Sequence, residues 1–248
     1  MKLLIAIVLL SMSSLVQAFA TYEFGTLKNY PEFAENENIP TWGVDNRLGE
    51  AASISYSFAD RNYTCDESGS CFSLTDFIPT GYQDVIGSAF NAWASVSNLS
   101  FNQVVDQSGD IVLGGEFIDG VSSELAHAGI GALYFSNGFE TTSYISSGYV
   151  HFDRDEPWSL DGSERDLYSV ALHEIGHTLG LDHSEDPNAL MYYLYTGTDL
   201  LQDDDIAGIQ FLYGASVSPV PEASTYLMFL LGLAMVAGYG RRAVIRQV

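Results

Sequence analysis

Positive charge is what this sequence has least of: 9 Lys and Arg stand against 32 Asp and Glu, for a formal net charge of −23. A polyanion is repelled by phosphate backbones and by anionic bilayers, which excludes nucleic-acid binding and adhesion of the body of the chain to a membrane surface. Acid on this scale favours solubility and offers the hard oxygen donors that Ca²⁺ takes. Cysteine is nearly absent. Cys65 and Cys71 enclose a short Asp-Glu-Ser-Gly-Ser loop, a spacing that suits a disulfide in an exported chain, with a two-cysteine metal site as the other reading. No internal repeat is visible. Long apolar runs are confined to the two ends. What is present is ordinary: 248 residues and 47% hydrophobic content give one globular domain plus targeting segments.

Both ends read as addresses. Residues 1–20 carry Lys2, an apolar run from Leu3 to Leu10 and small residues ending Ala18-Phe19-Ala20. That is the pattern of a secretory signal peptide with its cleavage site, a short membrane anchor being the alternative. Ser224 to Gly240 is a second uncharged apolar stretch, followed by Arg241, Arg242 and Arg246, long enough for a membrane helix with a cytoplasmic basic flank. Between them, residues 21–221 hold 31 acidic and 5 basic side chains, a balance of −26. The tail, Val220-Pro221-Glu222-Ala223-Ser224-Thr225 with its apolar run and Arg241-Arg242, resembles the PEP-CTERM sorting signal of Gram-negative bacteria. Pro-Glu-Ala stands where that signal usually has Pro-Glu-Pro. The resemblance implies removal of the tail by an exosortase and release outside the inner membrane; a permanent single-span anchor is the other outcome.

The interior divides into segments of recognisable period. Residues 21–50 are polar and rich in Glu, Asn and Pro, either an irregular lead-in or a short pro-segment. Ala52 to Ala59 alternates as a strand. Thr80 to Ser97 places Val85, Ile86, Phe90, Trp93 and Ala94 at helical spacing. Short strands are expected at 99–105 and 110–113, the second ended by Gly114-Gly115, then a loop from Glu116 to His127. Residues 132–136 and 142–152 form a hairpin across Asn137-Gly138. Ser163-x-x-Asp166 reads as a capping box for a helix running to Leu179, and Asp203 to Tyr213 as a last helix. Residues 215–221 are a linker ahead of the tail, 222–248.

The chemistry concentrates in His173-Glu174-Ile175-Gly176-His177-Thr178-Leu179-Gly180-Leu181-Asp182-His183. Histidines at i and i+4 lie on one helix face, about 6 Å apart along the axis, so both can bind one Zn²⁺. Gly180 permits the positive φ that ends the helix and returns His183 as a third ligand. Glu174 is placed to reach a water at the open fourth position as general base. Five residues of HExxH occur by chance; the added glycine, third histidine and the following Ala189-Leu190-Met191-Tyr192 turn make up the metzincin signature.

On these residues the chain resembles a matrixin-type metzincin across about 51–214. Further matches are Ser53 to Phe58, Ala89 to Trp93, Gly109 to Leu113, Leu125-Ala126-His127-Ala128, His151-Phe152-Asp153 and Gln202 to Gln210. The resemblance implies an α+β zincin fold with a twisted mixed sheet of about five strands, three helices and the active-site helix carrying HExxH. It implies an exported zinc-dependent endopeptidase, with peptide-bond hydrolysis by Glu174-assisted attack of zinc-bound water and a protein or peptide substrate. Met191 would lie beneath the metal. His127 and His151 match two of four ligands of a second, structural zinc; the other two have no counterpart, and the alternative is a pair of hydrogen-bonded loop histidines. Asp119, Asp153 and Glu156 fall where the family binds Ca²⁺. Tyr193 stands where matrixins usually carry proline and other metzincins an oxyanion-stabilising tyrosine; it would do the same or form a wall of the specificity pocket. No cysteine switch is recognisable. The competing readings are a non-catalytic exported surface or matrix protein that keeps its zinc site, and a zinc hydrolase of small amides.

Overall fold

The computed structural model describes residues 39–43, 47–59, 63–65, 69–136, 141–163 and 165–216. The signal peptide, most of the lead-in, the Asn137-Gly138 turn and the sorting tail lie outside the described residues. Among the described residues no helix is long and apolar enough to cross a membrane.

Among the described residues, seven strands and three α-helices follow in chain order. They are β1 (Ala52–Phe58), β2 (Tyr63–Cys65), β3 (Gly69–Cys71), α1 (Tyr82–Val96), β4 (Leu99–Gln103), β5 (Ile111–Glu116), β6 (Ala126–Ser136), β7 (Thr141–Asp153), α2 (Leu167–Thr178) and α3 (Asp203–Tyr213). Five form one sheet in the order β4-β1-β5-β7-β6; β2 and β3 pair as a separate ribbon. The first four strands of the large sheet run parallel and β6 joins β7 antiparallel at the edge. This is the mixed five-stranded sheet with three helices that the α+β reading expects.

The sequence pattern explains the layers. In β1, Ile54, Tyr56 and Phe58 turn inward while Ser53 is exposed, the period-2 alternation of a sheet covered on one side. In α1, Ile86, Ala89, Phe90 and Trp93 are buried at i, i+3, i+4 and i+7. Tyr56 stacks on Phe90 with ring centroids 4.1 Å apart. The core joins Ile54, Ile111, Leu113, Val150 and Phe152 of the sheet to Ile86, Leu172 and Ile175 of the helices. The Trp93 indole donates to the Leu172 carbonyl at 2.9 Å, tying α1 to α2.

Three local expectations are corrected. β5 does not stop at Gly114-Gly115 but pairs with β7 through Glu116. A Cβ at Gly115 would lie 2.3 Å from the Phe77 ring, so glycine here admits a packed ring and does not end the strand. The supposed loop from Glu116 to His127 gives up both ends, because β6 starts at Ala126 and sets His127 opposite His151. The capping box at Ser163 is replaced by Asp166, which is itself the N-cap of α2 and accepts from the Ser169 N–H at 3.0 Å. The end of the lead-in is packed on the domain. Thr41 is buried and bridges to Tyr144, and the Trp42 indole donates to the Thr178 carbonyl at 2.8 Å.

Candidate metal centre and substrate cleft

Helix α2 presents His173 and His177 on one face, and a turn at Gly180 (φ 95°) brings in His183. Local contacts fix each ring. His173 Nδ1 donates to the Leu190 carbonyl and His177 Nδ1 to the Leu181 carbonyl, both at 2.8 Å. A carbonyl only accepts, so these nitrogens carry the protons and each Nε2 keeps its lone pair. The His177 Nε2 lies 3.1 Å from the His173 Nε2 and 3.3 Å from the His183 Nε2. With no proton on the His173 and His177 Nε2 atoms, two lone pairs face each other at 3.1 Å, which is repulsive unless a cation lies between them. A tetrahedral zinc at 2.0–2.1 Å from each ligand separates its nitrogens by roughly 3.3–3.4 Å. The donor set therefore fits zinc in type, tautomer and spacing.

Burial tunes the same groups. It pushes the His173 imidazole down to about 3, aided by the neighbouring His177, and His177 down to about 4. Both are neutral at pH 7, the form that binds metal. Burial also pushes the Glu174 carboxyl up to about 8, with a further contribution from the charge of Glu124. A carboxyl in that range is suited to taking and returning a proton near neutral pH.

The support beneath the histidines includes a residue that sequence reasoning missed. Buried Asp205, on α3, accepts from the Leu190 N–H at 2.8 Å, the Met191 N–H at 2.9 Å and the Gln202 N–H at 2.8 Å. Leu190 is the residue whose carbonyl orients His173, so one carboxylate holds the methionine turn and, through it, a metal ligand. The signal was there in an Asp at the third position of an acidic helix start, but its partner turn lies 14–15 residues away. Met191 is 2% exposed, and a Cβ at Gly176 would come 2.5 Å from its sulfur. Glycine inside the HExxH helix thus lets Met191 pack directly under it.

A cleft of about 480 Å³ opens over the histidines, between the start of β6 and the Tyr192–Thr196 segment. Tyr193 lines it, 60% exposed, with its ring 4.7 Å from that of Tyr192.

The remaining expected ligands fall in two groups, one around Glu116 and one around the 119–124 loop. His127 and His151 are cross-strand neighbours with ring centroids 5.4 Å apart, and both face Glu116: His151 Nδ1 at 3.1 Å and His127 Nε2 at 3.4 Å from one of its oxygens. Glu116 lies in a segment that the sequence pattern predicts as loop, so its ligand role emerges only when β5 extends through it to pair with β7. Cys71 Sγ lies 3.4 Å from His151 Nε2, but Cys71 is disulfide-bonded and offers no thiolate; Cys65, the other cysteine of the chain, has its side chain outside the described residues. Asp153 accepts from the N–H groups of Asp119 at 3.3 Å, Gly120 at 3.1 Å and Asp155 at 3.0 Å. Asp119 accepts from the Glu124 N–H at 3.4 Å. Glu156 accepts from the Ser122 N–H and pairs with Arg165 at 2.9 Å. These carboxylates brace the 119–124 loop.

Comparison with known proteins agrees with this geometry. Residues 72–214 match the Matrixin family, and residues 219–246 match the PEP-CTERM protein-sorting motif, which marks export in Gram-negative bacteria. The chain is 42% identical to the interstitial collagenase of Sus scrofa over 147 residues, covering 54% of this chain and 29% of that protein. It is 36% identical to the interstitial collagenase of Equus caballus over 202 residues, 76% of this chain and 36% of that one. It is 33% identical to interstitial collagenase B of Mus musculus over 181 residues, 70% and 38%. The chain thus spans about a third of the length of these curated relatives. With the metal-binding motif and the methionine turn inside the matched residues, the chain belongs to the matrixin family.

Proposed function

We propose that this chain is an exported endopeptidase in which His173, His177 and His183 hold one zinc and Glu174 is the general base. The convergence of three Nε2 atoms beside a buried carboxyl carries the reading. Zinc held there supplies Lewis acidity toward the scissile carbonyl and a water of lowered pKa. Glu174 accepts the proton released as water attacks and passes it to the leaving amine, help typically worth about 10²–10⁴-fold. β6 is the edge strand of its sheet, so an extended peptide pairs with its free side and lies across the cleft. Tyr193, on the opposite wall, donates its hydroxyl to the oxyanion that develops on the substrate. A purely structural zinc site has no use for Glu174, whose burial disfavours its charge; that weighs against a non-catalytic surface protein.

His127, His151 and Glu116 are the donors for a second zinc, and Asp119 and Asp153 those best placed for calcium, with Glu156 held back by Arg165. Removal of the 222–248 tail by an exosortase leaves the acidic body at the cell surface or outside the cell. The test is hydrolysis of an unfolded protein by the zinc-loaded chain. Cleavage should vanish with chelator and with Glu174→Ala. Absence of cleavage of any peptide in a diverse library by zinc-loaded protein would count for the non-catalytic reading, and activity confined to short acyl-amides for a small-amide hydrolase.

A further inference from the structure

The charged side chains lining the cleft are of one sign. Apart from the histidines they are Glu124, Glu174 and Asp182, with no Lys or Arg among the lining residues. Glu174 is buried and serves the chemistry, and Asp182 accepts from the His183 N–H at 2.7 Å. Glu124 differs from both. It stands at the mouth of the cleft, two residues before β6 begins, with its side chain about half exposed. One carboxylate oxygen, Oε1, faces His127 Nδ1 at 3.2 Å, which anchors the side chain over the rim. Each basic side chain among the described residues already has an acid: Arg47 has Glu50, Arg154 has Asp155 and Arg165 has Glu156. The 21–221 segment, at a balance of −26, adds a long-range field of the same sign.

We infer that Glu124 is a specificity-determining residue that selects peptides carrying Lys or Arg close to the scissile bond and rejects acidic ones. The inference rests on the endopeptidase reading and adds a substrate class to it. A peptide paired along β6 runs beside Glu124, two residues before that strand begins, so a cationic side chain there meets an anchored carboxylate in a cleft lined by no Lys or Arg. An acidic side chain meets like charge instead, and repulsion discriminates as strongly as attraction does.

The substitution Glu124→Gln separates charge from structure, since a Gln carbonyl still accepts from His127. The zinc-loaded full chain is assayed on matched peptides differing only in Lys, Gln or Glu beside the cleaved bond. Wild type should prefer Lys over Glu in kcat/KM, Glu124→Gln should reduce the Lys-to-Glu ratio by roughly three- to tenfold, and Glu124→Lys should invert it, with the Gln peptide cleaved by all three. Binding of the same labelled peptides to the inactive Glu174→Ala protein, followed by fluorescence anisotropy, should show the same order. A Lys-to-Glu ratio unchanged by Glu124→Gln in either assay overturns the inference. If no peptide is cleaved, the endopeptidase reading fails, and the anisotropy ranking alone decides whether Glu124 sorts ligands by charge.

Discussion

His177 faces both other imidazoles, and its Nδ1 is fixed by the helix-ending turn at Leu181. The groups around it give the metal-free protein a characteristic pH dependence. His173 and His177 have folded values of about 3 and 4, below their ordinary 6.5. The unfolded chain therefore binds more protons, and their contribution to stability grows as pH rises to 6.5. Glu174 runs the other way: with a folded value of about 8 against 4.5, the folded chain holds the extra proton and stability falls as pH rises from 4.5 through 8. Two histidines outweigh one glutamate below 6.5, and above it only the fall remains. Urea unfolding of metal-stripped protein should show greatest stability near pH 6.5 and a decline above it that levels off beyond about pH 8, where the folded Glu174 has also ionised. Glu174→Gln should flatten the alkaline limb; a limb that persists would assign it to another group. Tyr193→Phe should lower kcat by about 10²-fold with KM little changed if its hydroxyl meets the oxyanion, and should raise KM instead if the ring is only a wall.

Helix α2 depends on one side chain for its N-cap and on another, through the methionine turn, for the orientation of His173. Asp166→Ala removes the N-cap and should cost about 1 kcal/mol, read as a shifted urea midpoint at constant slope. Asp205 has the larger reach, because it holds three N–H groups belonging to the methionine turn and the start of α3. Asp205→Ala leaves buried donors without a partner at about 1–3 kcal/mol each, and should also weaken zinc by about 10–100-fold through the loosened Leu190 carbonyl. Competition with a chromophoric chelator measures that loss. A variant that is destabilised but binds zinc normally would uncouple the turn from the metal.

For the whole molecule, zinc binding is folding energy. Zinc at a thousand times its dissociation constant stabilises the folded state by about 4 kcal/mol. Chelation should therefore lower Tm, and re-addition of zinc should restore it. His177→Ala should have a lower Tm that zinc no longer raises through this site.

The chain order of elements was legible because hydrophobic period is local: α1 and α3 fall within a few residues of the expected 80–97 and 203–213. The zinc histidines were legible for the same reason, lying on one helix and the turn that ends it. Asp205 and Glu116 were not, because their roles come from pairing across 14 to 35 residues. Gly115 was misread because its signature, a missing Cβ, looks the same at a strand end and under a packed ring. The sequence by itself determined which atoms could hold zinc, since 3.6 residues per turn and one glycine set their spacing. Only the tertiary structure decided what surrounds them: the burial that shifts Glu174 and the histidines, the carboxylate that fixes the methionine turn, and Glu124, held by His127 beside the cleft. Dielectric and proximity belong to the packed chain, and no local pattern encodes them.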